Sequence, residues 1–367
     1  MNKIILFKNP FLVFKKRNVV FDLLKLFAAL LVIMDHTLQR WIDGSQTTQF
    51  YNFIFLTQMP LFMFVAGFFA ARKVDRINSF RAFAASIVKV ALSLLIPFVS
   101  YSLIANAIDS PTFTVYLEGI VNSFLYPSTS ISLWFLWALF WLESFFISSI
   151  YLSKLFRCKS KWIRLLVLVA IFLFVIAILA VLYLKITSFF DIKLIVFYSV
   201  FFSFGVGVFL LKNTKPFSIR YKVWFKPIFG SACLIALIVV MMLRPNIISD
   251  DETLVNIAIR IIGSISSICL CYCVFYYVAK VGFIDNISVI GSLSLEIYYT
   301  HLLILSIPLL KDKLSYPLVT NILIYICLYL VVISITLVSI MLLKSFAITD
   351  FVLYGKADFI KRNNQTE

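Results

Sequence analysis

Ten stretches of mostly apolar residues, each about twenty long, recur between residues 19 and 346 and decide what this chain can fold into. Each can cross a hydrocarbon core of about 30 Å as a helix. In lipid the backbone must satisfy its own polar groups, which leaves helices or closed barrels, and runs of this length select helices. The spans are expected near 19–38, 50–71, 82–105, 132–152, 163–184, 192–211, 227–243, 255–279, 287–310 and 318–343. Only 14% of residues are charged, against about 25% in a soluble domain. The expected fold class is an all-α polytopic membrane protein, a bundle of about ten transmembrane helices.

The connecting segments test that count, because Lys and Arg concentrate on the cytoplasmic side of a membrane protein. Sorted into alternating sets, 24 of the 33 basic residues fall in the set that contains the N-terminus and 6 in the other; Lys25, Lys89 and Arg260 lie inside spans. Both termini are therefore expected in the cytoplasm. The organisation expected is a basic N-terminal tail (1–18), a membrane domain (19–346) and a C-terminal tail (347–367), with residues 106–131 the longest outward loop. The formal charge of +16 follows from this topology and not from nucleic-acid binding, which needs a basic face on a water-exposed domain. Lys3, Lys8, Lys15, Lys16 and Arg17 precede no cleavable apolar region, so the first span is expected to be a retained anchor. Cys269, Cys271 and Cys273 point to different sides of one helix and do not form a metal site. No internal repeat is evident, which disfavours inverted-repeat transporter architectures.

Charges at bilayer depth cost at least about 2.5–3.5 kcal/mol each and mark functional candidates. The ionisable residues within spans are Asp22, Lys25, Asp35, His36, Lys89, Glu143, Arg260, Glu296 and His301. On the first span, eleven steps of about 100° bring Lys25 and His36 within roughly 20° of one face and about 16 Å apart along the axis, with Asp22 one turn below Lys25. The alternative reading is an Asp22–Lys25 pair at the helix start and a histidine at the outer interface. His36 and His301 are the only histidines, and imidazole is the side chain that takes and returns a proton near neutral pH.

Several separated blocks resemble the bacterial acyltransferase 3 family of integral-membrane O-acyltransferases. They are Phe21-Asp22-Leu23-Leu24-Lys25 followed by ten residues and His36; Met59-Pro60-Leu61-Phe62-Met63-Phe64-Val65-Ala66-Gly67-Phe68-Phe69, followed by Arg72; Leu133-Trp134-Phe135-Leu136; Phe202-Ser203-Phe204-Gly205-Val206-Gly207; and Ile290-Gly291 through Glu296, Tyr298 and His301. Lys25 stands where many members have Arg, Ala66 where Ser is usual, and Glu296 where Gly is common.

The resemblance implies transfer of an acyl group, commonly acetyl, from cytoplasmic acyl-coenzyme A to a hydroxyl of an envelope saccharide or lipid-linked saccharide, at the bacterial cytoplasmic membrane. It implies acetyl-coenzyme A as co-substrate, no metal, and the lipid bilayer and the saccharide acceptor as partners. His36 is the candidate general base, with Asp22, Asp35 or Glu296 as its acidic partner. Lys25, Arg72, Lys73 and Arg76 are the candidates for the coenzyme phosphates, and Trp134, Tyr298 and His301 for the acceptor side. Direct transfer and an acyl-histidine intermediate both fit. The competing function is a polysaccharide or lipid-linked saccharide transporter or flippase without acyl chemistry. A polysaccharide polymerase ranks third, since it is expected to carry a longer outward loop.

Overall fold

Long apolar runs become helices wherever the structure is described. The computed structural model describes residues 18–130, 133–156, 160–185, 189–212, 225–243, 253–281, 287–306, 314–315 and 319–356. The expected N-terminal tail up to residue 17 and the end of the C-terminal tail from 357 lie outside the described residues. The helices are α1 (Val19–Trp41), α2 (Gln49–Ala70), α3 (Phe80–Asp109), α4 (Phe113–Leu125), α5 (Trp134–Leu155), α6 (Lys161–Lys185), α7 (Ile192–Lys212), α8 (Phe225–Leu243), α9 (Leu254–Val278), α10 (Ser294–Leu305), α11 (Val319–Ser345) and α12 (Ala347–Tyr354), with a four-residue helical turn at Pro127–Ser130.

Each of the ten expected stretches contains a helix among the described residues. Among the described residues, seven are long and apolar enough to cross a membrane: α2, α3, α5, α6, α7, α9 and α11. The helix α1 is of similar length but carries Asp22, Lys25, Asp35 and Arg40, while the apolar helices Pro227–Leu243 and Val289–Leu305 are shorter. Outward faces are apolar, as lipid requires: Leu323, Leu330, Val338 and Leu342 on α11, and Trp162, Leu166, Leu173 and Phe174 on α6, are exposed.

The chain divides into two compact units, with the boundary inside α2. The first takes its described residues from Phe7–Val65 and Lys215–Ser345, the second from Ala66–Thr214 and Phe346–Glu367.

In the first unit α1 packs against α9, α10, α11 and the 3-10 turn Val289–Leu293 that precedes α10. Small residues set the closeness of this packing. A Cβ at Gly291 would collide with the carbonyl oxygen of Asp22, and Ala28 and Ala29 of α1 are fully buried. Interhelical hydrogen bonds supply what the hydrophobic effect cannot supply between helices in lipid. Thr57 and Ser267 join α2 to α9 at 2.6 Å; Tyr325 and Tyr329 of α11 donate to the Met34 and Leu30 carbonyls of α1 at 3.2 and 3.0 Å. Beyond α1, Ile42–Asp43 pairs in parallel with Leu314–Ser315.

In the second unit α3 packs on α5, and α5 on α6 and α7. Gly67, in the most apolar of the blocks, has a steric reason: a Cβ there would collide with the carbonyl of Phe202 on α7. The expected loop 106–131 is largely helical. Thr112 caps α4 by accepting the Val115 amide at 3.4 Å, and Asn106 donates to the Ser102 carbonyl and to Ser123 Oγ at 2.8 and 2.9 Å, fastening α4 to α3. Its other face, Phe113, Leu117 and Val121 at i, i+4, i+8, is exposed. The expected C-terminal tail likewise begins with structure: α12 lies on α3, where Ser100 Oγ donates to the Val352 carbonyl at 2.6 Å, and Gly355 ends it at φ 62°, the left-handed conformation glycine favours.

Candidate functional site

The first unit gathers most of the sequence candidates around α1. At its start Lys25 Nζ lies 2.7 Å from Asp22 Oδ1, an i, i+3 ion pair with Asp22 buried. Toward its far end the next two residues part company. Neighbours on a helix are turned about 100° from each other, and here Asp35 faces α2 while His36 faces α10. Asp35 accepts from Gln39 Nε2 at 2.8 Å through one oxygen and from Gln58 Nε2 of α2 at 2.7 Å through the other; Gln39 also donates to the Tyr51 hydroxyl at 2.6 Å. A buried carboxylate held by two amides is fixed in place without a cation.

His36 lies beside the other histidine of the chain. The His36 and His301 rings are 5.4 Å apart between centroids and inclined by 34°. His301 is 0% exposed. Its Nδ1 donates to the Ile297 carbonyl one turn back on α10 at 2.9 Å, which leaves Nε2 as a bare acceptor. Among the described residues that buried Nε2 has no hydrogen-bond partner. The Tyr298 ring, also buried, is 6.1 Å from the His301 ring.

Glu296 is engaged with α11: Lys344 Nζ lies 3.0 Å from its Oε1, with only 12% of the Lys344 side chain and 2% of the Glu296 side chain exposed. Asp22, fourteen residues before His36, is about 21 Å from it along the axis. All three acids considered as partners of His36 are thus held by other groups, and the ring that faces His36 is that of His301.

The second unit carries the remaining candidates. Arg72 is exposed, its guanidinium carbon 4.5 Å from the Phe69 ring centroid, a cation–π contact that leaves its donors at the rim. Arg76 is exposed two residues past Val74, and Lys73 is paired with Glu143 of α5. The half-buried glutamate of the fourth span is therefore a counter-ion for Lys73. Trp134, at the start of α5, packs on Tyr198 of α7 with centroids 4.9 Å apart.

Some residues of these sites did not stand out in the sequence. Gln39, Gln58 and Tyr51 hold Asp35, and their signal was polarity at helix positions that lipid would fill with apolar groups. Lys154 and Arg164, with Asp75, Asn78 and Ser153, line a cavity of about 210 Å³ in the second unit, where Lys154 donates to the Ile77 carbonyl and to Asn78 Oδ1 at 2.6 and 2.7 Å. At another end of that unit Asp191 accepts from the amide and hydroxyl of Ser128, both at 2.6 Å; burial still pushes its carboxyl above the usual range, and the two Ser128 bonds oppose that shift. Among the described residues no group of three or more His, Cys, Asp or Glu is placed to hold a metal ion.

The profile described as acyltransferase domain matches residues 18–341, from the start of α1 into α11. The chain belongs to the acyltransferase 3 family. This acyltransferase-family chain is 29% identical over 153 residues to the nodulation protein NolL of Sinorhizobium fredii (strain NBRC 101917 / NGR234), a match that covers 40% of this chain and 39% of that relative. The chain thus spans about two-fifths of the length of the curated relative it matches. No solved structure matches it. Family membership, with seven helices among the described residues that are long and apolar enough to cross a membrane, points to an integral membrane protein.

Proposed function

We propose that this acyltransferase-family protein is an O-acyltransferase of the bacterial cytoplasmic membrane that moves an acetyl group from acetyl-coenzyme A to a hydroxyl of an envelope saccharide or saccharide-lipid. The observation that carries the reading is His36: an imidazole on a helix inside the bundle, eleven residues beyond the Asp22–Lys25 pair and facing a second imidazole. In the reaction His36 takes the proton of the acceptor hydroxyl as its oxygen bonds to the acyl carbon. The carbon–sulfur bond breaks, and the departing thiolate receives that proton from the imidazolium. The exposed Arg72 and Arg76 are the cations for the coenzyme phosphates, since a guanidinium offers phosphate two parallel donors. Lys73 contributes there only to the extent that Glu143 releases it. Tyr298, beside the His301 ring, serves the acceptor side through its ring and hydroxyl.

The test uses the purified protein in detergent, acetyl-coenzyme A labelled in its acetyl group, and the saccharide fraction of the source cells' envelope. Label is expected on the saccharide with the native protein, and His36→Ala is expected to lose at least the roughly 10²–10⁴-fold that a general base contributes, with coenzyme binding kept. Undiminished transfer by His36→Ala would remove His36 from the chemistry. Absence of acetyl transfer by the native protein, with saccharide export lost in cells lacking it, would favour the transporter.

A further inference from the structure

His301 strands a hydrogen-bond acceptor where nothing in the fold uses it. The ring is fully buried, Nδ1 is committed to the Ile297 carbonyl, and Nε2 has no partner among the described residues. A phenylalanine would pack in the same volume without an unsatisfied nitrogen, which in a buried site carries the full desolvation penalty. The ring beside it on α1 is that of His36, with centroids 5.4 Å apart; the two rings are not hydrogen-bonded in the structure, and a small shift of the rings or one bridging water brings an N–H···N contact within reach.

We infer that His301 is a positioning residue for His36: its Nε2 accepts the N–H of the His36 imidazole and so fixes which nitrogen of His36 stays bare to meet the acceptor hydroxyl. The inference rests on the acyl-transfer reading of His36 and deepens it. The Ile297 carbonyl locks the tautomer of His301, and His301 in turn sets that of His36. This is the logic of a base oriented by a third group, with a neutral imidazole where other enzymes place a carboxylate. It also explains why a carboxylate is not required at His36: Asp35, its neighbour in sequence, is turned toward α2 and saturated by Gln39 and Gln58. As the proton arrives on His36, the His301 lone pair faces the imidazolium and stabilises it. No atom is exchanged with His301, so it acts through His36 and not on the substrate.

The chain has two histidines, so labelling histidine alone with ¹⁵N gives four ring nitrogens, assignable with His301→Gln and His36→Ala. In the native protein His301 is expected protonated at Nδ1 and bare at Nε2, and His36 is expected in one tautomer; in His301→Leu, His36 is expected to populate both. With labelled acetyl-coenzyme A and the envelope saccharide fraction, His301→Leu is expected to lower turnover on the order of 10²-fold at unchanged KM for the coenzyme. His301→Gln, which offers an amide oxygen as acceptor, is expected to recover most of that turnover. His301→Leu added to His36→Ala is expected to cost nothing more, because two residues acting as one unit are not additive. A mixed His36 tautomer in the native protein, full turnover in His301→Leu, or a loss that multiplies with that of His36→Ala would each overturn the pairing. The nitrogen spectrum needs no acceptor and no turnover, so it also decides the pairing where His301→Leu does not fold, and it separates failure of the pairing from failure of the acyl-transfer reading.

Discussion

Replacing Lys344 by methionine takes from Glu296 the ammonium paired with it, in a site where only 2% of the Glu296 side chain is exposed. At the observed 3.0 Å the pair attracts with about 5 kcal/mol at an effective dielectric near 20, much of it offset by desolvation of both ions. Breaking such a pair from one side costs more than the pair contributes, because the remaining buried charge loses its counter-ion: about 3–5 kcal/mol for a buried pair, and about 3 here, since the lysine keeps some access to solvent. Removing both charges together, as in Glu296→Gln with Lys344→Met, should return stability to within about 1 kcal/mol of the native protein. The assay is the thermal midpoint of the detergent-solubilised protein, followed by tryptophan fluorescence, with acetyl transfer measured on the same samples. Lys344→Met is expected to lower the midpoint by several degrees, and the double variant to restore the midpoint together with turnover. A single variant as stable as the native protein would refute the argument that this pair fixes α10 to α11. A double variant that is stable but inactive would return Glu296 to the chemistry, as an acid acting on His36.

Two further outcomes test the remaining assignments. Arg72→Ala, which removes an exposed guanidinium resting on Phe69, should raise the KM for acetyl-coenzyme A about 10–100-fold with turnover at saturation retained, as expected for a charge-assisted phosphate contact of about 1.5–3 kcal/mol; an unchanged KM would remove Arg72 from the donor site. Gly67→Val should abolish recovery of monodisperse protein, because even a Cβ there meets the Phe202 backbone, whereas Gly207→Ala, with open space around its Cα, should be recovered normally; equal recovery of both would show that close approach is not what Gly67 provides.

The helices were legible because lipid permits few alternatives: a run of twenty apolar residues has to satisfy its backbone internally, and α2, α3, α5, α6, α7, α9 and α11 follow from that alone. The helix α4 escaped because its thirteen residues form an amphipathic stretch too short for a span, and its signal is the capping threonine at 112 and the Phe113, Leu117, Val121 stripe. Partners across helices were not legible. Periodicity fixes the face on which a residue lies, but the helix opposite that face is set by the packing of the whole bundle. Lys73 and Glu143 are 70 residues apart, and Glu296 and Lys344 are 48 apart. Lys73, Glu143 and Glu296 stood in the sequence as charges seeking a role, and each has a counter-ion on another element, Lys344 being that of Glu296.

The same geometry explains where Asp35 finds its hydrogen-bond partners. In a helical bundle consecutive residues never face one another, so a group that must be oriented by a partner finds it at i±3 or i±4 or on a facing helix. Asp35 meets the first condition with Gln39 and the second with Gln58, and both of its oxygens are taken. His36, one residue on, looks across to α10, where the side chain at hand is an imidazole whose proton position is already fixed by its own backbone. A carboxylate in that place would bury a second negative charge close to Asp35, at a cost that a neutral acceptor avoids. The pairing of two histidines is therefore the arrangement in which His36 gains an orienting acceptor without a further buried charge.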